Sequence, residues 1–497
     1  MSGTERSIRP PSIRFKGRLW SSDEIAVISE TWRDIARDAA PTPTGLTAML
    51  MTNHPESIAL FFALSSLPYP VVIYHADPRA WRSAPPIPRG TPLFLAPPVR
   101  DMTAAGHALG LRAVVMPAPR PATAPTADVA FMACPGFVNF TSGSMGLPRP
   151  VYIATRSFMI QTAAIIRTCS LTAESAVAGS LILSTHYGLG QALILPTVLG
   201  SSLGLLDRFD PRALLALFAS DRYAYWAATP IMAELLTRAP LPTPRPAIPP
   251  ICHISAGKLP IRVFDAFAKR FGVKLRPNYG QTENGFIAVE NAPDALIRPD
   301  CVGRAAPGIE LRIGDDPLDP EPPGHLGRVW FKSPWYMEGY GFPPNLSPQQ
   351  GRQGWWSTAD IGLLDEDGYL TLAGRADDCF KTAAGHLVNP GQIAQALGNH
   401  PGVSEVAVVA VQSPAGPVVG ALVEAQSGLD ADQLRVAAAR VLPAWLHPQV
   451  VTVVDRLPRL PSGKADRGAC HSILCRARGW EDRGEERPQS PSASASG

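Results

Sequence analysis

From Ser22 to about Ala39, apolar and polar residues recur with the period of a helix, which predicts an amphipathic helix there. The next stretch, Gly45 to Leu64 (GLTAMLMTNHPESIALFFAL), reads as a strand, a turn and a helix. Val71–His75 (VVIYH) is a short apolar run rich in β-branched residues, the pattern of a buried strand. Leu93–Ala96 and Ala113–Met116 have the same character. Strands alternating with helices predict a largely parallel α/β sheet. Two proline-rich stretches, Pro85–Pro98 and Pro240–Pro250, read as surface loops, because helix and strand patterns resume on both sides of each. A new pattern begins near Gly374–Asp377: a helix near Pro390–Leu397, an apolar strand at Val403–Val411 and a helix near Asp430–Val441, together a small α+β unit. Residues 1–18, containing Arg and Pro, are expected to be disordered. The tail over residues 476–497 is expected to be disordered too, since it turns charged and then Ser/Ala-rich with nothing apolar to bury.

A chain of 497 residues exceeds an ordinary domain of about 100–200, so two or more units are expected. Hydrophobic residues at 45% and charged residues at 18% suit a globular core. Basic and acidic residues nearly balance, 45 against 42, and no basic stripe is interleaved with aromatics; this argues against nucleic acid as a partner. The 7 cysteines are odd in number and form no C-x-x-C pair, which points to reduced thiols and a cytoplasmic setting rather than to disulfides or zinc. The N-terminus has no apolar core of a signal peptide, and no apolar stretch reaches about 18 residues, so no membrane span is expected.

The strongest local signal is Val138–Pro150, VNFTSGSMGLPRP. A short apolar strand runs into Thr141, Ser142, Gly143, Ser144, Met145 and Gly146, followed by Leu147, Pro148 and Arg149. Glycines let the backbone approach a ligand closely, and successive N–H groups with three hydroxyls and an Arg suit a polyphosphate. A Ser/Gly loop with no ligand fits the same residues. It is not a Walker A loop: Gly463-Lys464 is followed by Ala465, and Gly257-Lys258 by Leu259.

At this point the chain resembles the adenylate-forming superfamily: acyl- and aryl-CoA synthetases, peptide-synthetase adenylation domains and firefly luciferase. The loop at Thr141–Pro150 resembles the family's phosphate loop. Further matches follow in the family's order. Ser184 through Gly190, with His186 and Tyr187, is similar to the segment lining the acid pocket. Ala228-Thr229-Pro230 resembles the Pro-containing turn, and Ser255-Ala256-Gly257 the Ser-Gly-Gly stretch. Asn278-Tyr279-Gly280-Gln281-Thr282-Glu283 fits Tyr-Gly-x-Thr-Glu. Thr358-Ala359-Asp360 resembles Thr-Gly-Asp. Gly374-Arg375-Ala376-Asp377, with Lys381 and Gly385, fits the hinge, and Pro461-Ser462-Gly463-Lys464, with Arg467, the C-terminal lysine motif. The resemblance covers residues 45–470.

The resemblance implies an α/β fold with a large N-terminal domain of α/β subdomains and mixed sheets (19–374) and a small mobile α+β C-terminal domain (375–475). It implies activation of a carboxylic acid by ATP with release of pyrophosphate, then transfer to a thiol, either coenzyme A or the phosphopantetheine of a separate carrier protein. Amine transfer and a binding protein without catalysis stay open as alternatives. Thr141, Ser142, Gly143, Ser144, Gly146 and Arg149 would hold phosphates; Ser255, Ala256, Gly257, Asn278, Tyr279 and Gly280 the adenine side; Asp360 and Arg375 the ribose. Glu283, beside Thr282, would contact Mg²⁺; His186 would shield the carboxylate; Lys464 would bridge carboxylate and α-phosphate. On residue type alone, Glu283 is an ordinary loop carboxylate, Lys464 a turn lysine and His186 a satisfied buried histidine. Met145, Arg149, Pro150 and Ala359 depart from the family pattern, replacing a hydroxyl, a Lys and two glycines. The stretch Thr185–Val198 is small and apolar, which suits an aryl or aliphatic acid.

Overall fold

The apolar runs that predict buried strands become the centres of two large sheets. The computed structural model describes residues 8–40, 44–77, 87–108, 110–119, 132–141, 148–349, 351–384, 386–425, 428–459 and 465–480. Among these residues a nine-stranded sheet runs, in spatial order, through Arg304–Ala305, Gly285–Val289, Leu275–Gln281, Ile251–Ile254, Tyr225–Ala228, Val177–Gly179, Leu203–Leu205, Ile13–Phe15 and Arg18–Trp20. Its interior pairs are parallel and its outer pairs antiparallel. An eight-stranded sheet is ordered Asn345–Ser347, Gly339–Phe342, Pro150–Ala154, Gly136–Phe140, Val71–His75, Thr47–Met51, Pro92–Leu95 and Arg112–Val115. It too is parallel in one half and antiparallel in the other. The largely apolar strands Val71–His75 and Thr47–Met51 sit at its centre, where both faces are covered.

The helices follow their sequence signals. Ser22–Ala39 is capped by Ser21, whose Oγ accepts from the Glu24 N–H at 3.1 Å, and Asp23 and Glu24 complement the positive end of the helix dipole. Its apolar stripe packs on Pro55–Ser65, which is buried along nearly its whole length. The first Pro-rich stretch is not a surface loop throughout: it holds the buried strand Pro92–Leu95, and at its end Pro97 opens a 3₁₀ helix, Pro97–Met102, whereas the second forms neither helix nor strand.

Residues 8–18 correct the expectation of disorder. Ile13–Phe15 pairs in parallel with Leu203–Leu205, and Ile13 is wholly buried. Arg and Pro in the composition hid a short strand period in which Ile13 and Phe15 face the core around Arg14. The final helix, Arg467–Ala477, likewise runs past residue 475; residues 1–7 and 481–497 lie outside the described ones.

Two units divide the chain: one takes the residues up to Leu311 with Phe331–Trp356 and Asp367–Leu370, the other Arg312–Trp330, Ser357–Glu366 and everything from Thr371. By pattern alone Arg312–Trp330 and Ser357–Glu366 belong with the first. The second unit contains the strands Val403–Ser413, Gly416–Ala425 and Val450–Val454 as one sheet. Val408 and Val419 pack with Ile393, Leu397 and Leu434 on one face; Ala407, Val409 and Val411 pack with Cys470 and Leu474 on the other. Burial of both faces is why the middle of this strand, Val406–Val411, is an unbroken apolar run. None of the 7 cysteines is in a disulfide. Among the described residues no helix is long and apolar enough to cross a membrane.

His186–Gly188, a π turn at Leu189–Ile194 and Leu195–Leu199 form one helical run, opened by Thr185, whose Oγ1 accepts from the Gly188 N–H at 3.0 Å. A Cβ on Gly188 would lie 2.0 Å from the Ile182 carbonyl oxygen. Gly188→Ala is therefore expected to lower stability by about 1–3 kcal/mol through overpacking, read as a lower urea midpoint at unchanged m-value; an unchanged midpoint would show that the backbone yields freely.

Candidate active site

In the nine-stranded sheet, Tyr225–Ala228, Ile251–Ile254 and Leu275–Gln281 are parallel neighbours, so their carboxyl ends lie on one edge. That edge is where open α/β sheets bind ligands. Three of the sequence motifs sit there: Thr229-Pro230, Ser255-Ala256-Gly257 and Asn278-Tyr279-Gly280. Ser255 ties adjacent strand ends together: its N–H donates to the Ala228 carbonyl at 3.1 Å and its Oγ to the Asn278 carbonyl at 3.2 Å. Asn278 and Tyr279 are buried. A tight turn then carries Thr282 and Glu283 back into Gly285–Val289. Glycine is required at 280, where a Cβ would lie 2.1 Å from the Gly285 carbonyl oxygen.

In the eight-stranded sheet the phosphate loop is the connection of an antiparallel pair, with Phe140 opposite Pro150. Thr141 and Arg149 clasp its neck. The Thr141 N–H donates to the Arg149 carbonyl at 3.0 Å, and the Arg149 N–H to Thr141 Oγ1 at 2.9 Å. Ser142, Gly143, Ser144, Met145 and Gly146 lie outside the described residues. The Arg149 guanidinium sits over the Tyr340 ring, 3.3 Å from its centroid, a cation–π contact. The Tyr340 hydroxyl donates to Glu283 Oε1 at 2.8 Å. Thr141, Arg149, Tyr340 and Glu283 thus form one linked chain. Burial, and then the Glu283 charge, push the Tyr340 phenol well above its usual range, so it remains a donor. Tyr340 is not among the sequence candidates: it lies in no motif, and a contact between two different sheets brings it to Glu283.

The segment ahead of His186 is held by two buried amides. Asn53 Nδ2 donates to the Leu181 carbonyl at 2.8 Å and to Leu206 at 3.0 Å, while its Oδ1 accepts from the Leu183 N–H at 3.0 Å. Asn139 Nδ2 donates to the Ser184 carbonyl at 3.2 Å. His186 is buried, its ring 4.7 Å from that of Phe158, and neither ring nitrogen has a hydrogen-bond partner among the described residues. Burial lowers its pKa to about 4, so the ring is neutral at pH 7. Next to it, the Tyr187 hydroxyl donates to the carbonyls of His253 at 3.3 Å and Ala228 at 3.4 Å. His253 is lowered to about 3, by burial and then by the Arg276 charge.

In the second unit Asp360 pairs with Arg375 at 3.7 Å. Its N–H donates to Thr358 Oγ1 at 3.1 Å, and that hydroxyl donates to the Val329 carbonyl at 3.2 Å. Ala359 has φ +61°, and Ala256 in the first unit φ +65°. Both alanines stand where the resemblance expects glycine, and both keep the left-handed backbone that glycine serves. Asp378 pairs with Arg467. Gly385 and Pro461-Ser462-Gly463-Lys464 lie outside the described residues.

Among the described residues no three His, Cys, Asp or Glu side chains cluster as metal ligands. Glu283 nonetheless fits a hard divalent ion: one oxygen is held by Tyr340 and the other has no hydrogen bond among the described residues. Phosphate oxygens and water would complete the shell, as Mg²⁺ prefers.

The left-handed alanines each cost about 1–2 kcal/mol, partly offset by glycine's larger loss of backbone entropy. Ala359→Gly and Ala256→Gly should each raise stability by about 0.5–1 kcal/mol, checked by urea unfolding; a loss would mean that the methyl groups pack usefully. The buried histidines set a pH response. Their folded pKa values lie below the unfolded 6.5, so the unfolded chain binds more protons and stability falls as pH drops from 6.5 toward 4. The expected loss is about 2 kcal/mol per histidine at pH 5. His186→Leu should flatten that slope by up to one proton between pH 6.5 and 4.5; an unaltered slope would show that His186 is protonated in the folded state.

Comparison with known proteins identifies the family. Residues 102–341 match the model of the AMP-binding enzyme family, and residues 392–464 that of the AMP-binding enzyme C-terminal domain. A sulfoacetate–CoA ligase of Cupriavidus necator is 30% identical over 67% of this chain and 66% of its own length, just under two thirds. The ATP-bound MatB structure from Rhodopseudomonas palustris superimposes with TM-score 0.80 at 21% identity, over 94% of this chain and 96% of that one. The amide bond synthetase McbA from Marinactinospora thermotolerans gives TM-score 0.80 at 24% identity, over 94% and 97%. With the strand-end motifs, the clasped loop and both family domains present in order, the chain belongs to the adenylate-forming, AMP-binding enzyme superfamily.

Proposed function

We propose that this protein is an acid–thiol ligase, which activates a carboxylic acid with ATP and passes the acyl group to a thiol. The observation that carries the reading is the linked set Glu283, Tyr340, Arg149 and Thr141, which puts a carboxylate and a guanidinium beside the neck of the phosphate loop.

In the first step a carboxylate oxygen attacks the α-phosphorus, the bond to the β-phosphate oxygen breaks, and pyrophosphate leaves with that electron pair. No proton has to be removed, because the acid is already ionised at pH 7. The obstacle is repulsion between anions, which preorganised positive charge and N–H donors offset. Arg149 supplies charge at the loop, and Lys464 a flexible ammonium between carboxylate and α-phosphate. Mg²⁺, held by Glu283 and the phosphates, would neutralise further charge. Tyr279 packs against adenine, and Asp360, paired with Arg375, accepts from the ribose hydroxyls. In the second step a thiolate sulfur attacks the acyl carbon of the adenylate, and AMP leaves. The name of the Cupriavidus relative favours coenzyme A as that thiol; a carrier-protein phosphopantetheine presents the same group.

The test is acid-dependent ATP–pyrophosphate exchange across aryl, short-chain, medium-chain and amino acids. Lys464→Ala should lower exchange by about 10²–10³-fold. Tyr340→Phe, which frees Glu283, should cost about 10-fold and raise the Mg²⁺ concentration needed for half-maximal rate. Incubation of the active acid with coenzyme A, with a phosphopantetheinylated carrier protein or with an amine then identifies the acceptor. Absence of exchange with every acid, in protein that still binds ATP, would sink the ligase reading.

A further inference from the structure

One buried side chain beside the candidate site is unused by any step above. Gln161 lies on the helix Thr155–Thr168, three residues after Phe158, so both project to the same side, toward His186. Gln161 is 3% exposed. Its Nε2 has no hydrogen-bond partner among the described residues, nor does either ring nitrogen of His186. Both side chains pack against Gly285: a Cβ built there would lie 2.0 Å from Gln161 Oε1 and 2.9 Å from His186 Nε2, so the two are near neighbours. Gly285, at φ +76°, begins the strand immediately after the turn carrying Thr282 and Glu283. Unpaired buried polar atoms are uncommon, because each forfeits hydration without return. Three such atoms on two side chains that both meet Gly285 call for a bound group to complete them.

Among the described residues no formal charge shifts His186. Gln161 cannot ionise, burial alone keeps His186 neutral, and the buried polar neighbours at the strand ends, Tyr187 and Asn278, are neutral as well. A second anionic group on the substrate would be desolvated there with no counter-charge.

We propose that Gln161 determines acid specificity: its amide, with His186, hydrogen-bonds an oxygen of the acid, and their neutral recess admits monocarboxylates while rejecting acids that carry a second anionic group. This rests on the adenylation reading. It also separates the chain from its relative named for sulfoacetate, whose acid is a dianion.

The experiment compares ATP–pyrophosphate exchange with propanoate, hexanoate and benzoate against malonate, succinate and sulfoacetate, in wild type and in Gln161→Met, which keeps the volume and removes the amide. In wild type, kcat/KM for the best monocarboxylate should exceed that for every dianion by about 10²-fold or more. Gln161→Met should raise KM for that acid about 10-fold with kcat little changed, while its urea midpoint stays equal or rises, since an unpaired buried amide has gone. A merely structural glutamine would lower the midpoint and leave KM where it was. Preference of the wild type for a dianion, or an unchanged KM in Gln161→Met, overturns the proposal while leaving adenylation standing. Exchange with none of the six acids, nor with the wider panel, overturns the adenylation reading and this inference with it.

Discussion

The hydrogen bond from Tyr340 to Glu283 joins residues that the two large sheets present separately. Tyr340 belongs to the antiparallel half of the eight-stranded sheet; Glu283 belongs to the turn beyond the parallel strands of the nine-stranded one. A carboxylate at a half-buried position requires donors, and a bond from a phenol is among the stronger ones available. The same ring accepts the Arg149 guanidinium on its face. One aromatic residue therefore keeps a cation and an anion near each other without letting them neutralise one another directly. Both charges stay available to phosphate and metal.

Buried amides carry out the corresponding task on the acid side. The Leu181–Ser184 backbone pairs with no strand, so its N–H and C=O groups need other partners. Asn53 and Asn139, from the carboxyl ends of two strands of the other sheet, supply them. Their bonds fix the path of the chain into His186 and the helical run behind it. The π turn at Leu189–Ile194 belongs to this run, and such turns recur where a helix has been adapted to a site. His186 and Gln161 are the counterpart: neighbouring side chains with polar atoms unpaired among the described residues.

The departures from the family pattern change cost more than architecture. Ala256 and Ala359 retain the left-handed backbone of the glycines they replace, which shows that the neighbouring hydrogen bonds, from Ser255 to Asn278 and from Asp360 to Thr358, determine the chain path. Pro150 lacks an N–H yet sits opposite Phe140 at the first pair of its strand, a position a proline tolerates. Arg149 gains from being an arginine: its planar guanidinium can lie flat on Tyr340, as an ammonium cannot.

Periodicity alone determined much of the local structure, because a stripe or an alternation is a property of neighbouring residues. Ser22–Ala39 and Val71–His75 fall where the pattern puts them, and the unbroken apolar run Val406–Val411 follows from burial on both faces. The strand at Ile13–Phe15 was hidden, since three residues carry too little period to outweigh the surrounding Arg and Pro. The motif order likewise marked Glu283, Asp360 and the strand-end residues, because close approach to a ligand demands particular residue types at fixed short spacings. Tertiary structure alone decided which distant residues serve those motifs. Tyr340 is 57 positions from Glu283, and Gln161 is more than a hundred from Gly285. Neither carries a local signal, because sheet order and helix packing, rather than spacing along the chain, determine which side chains share a site.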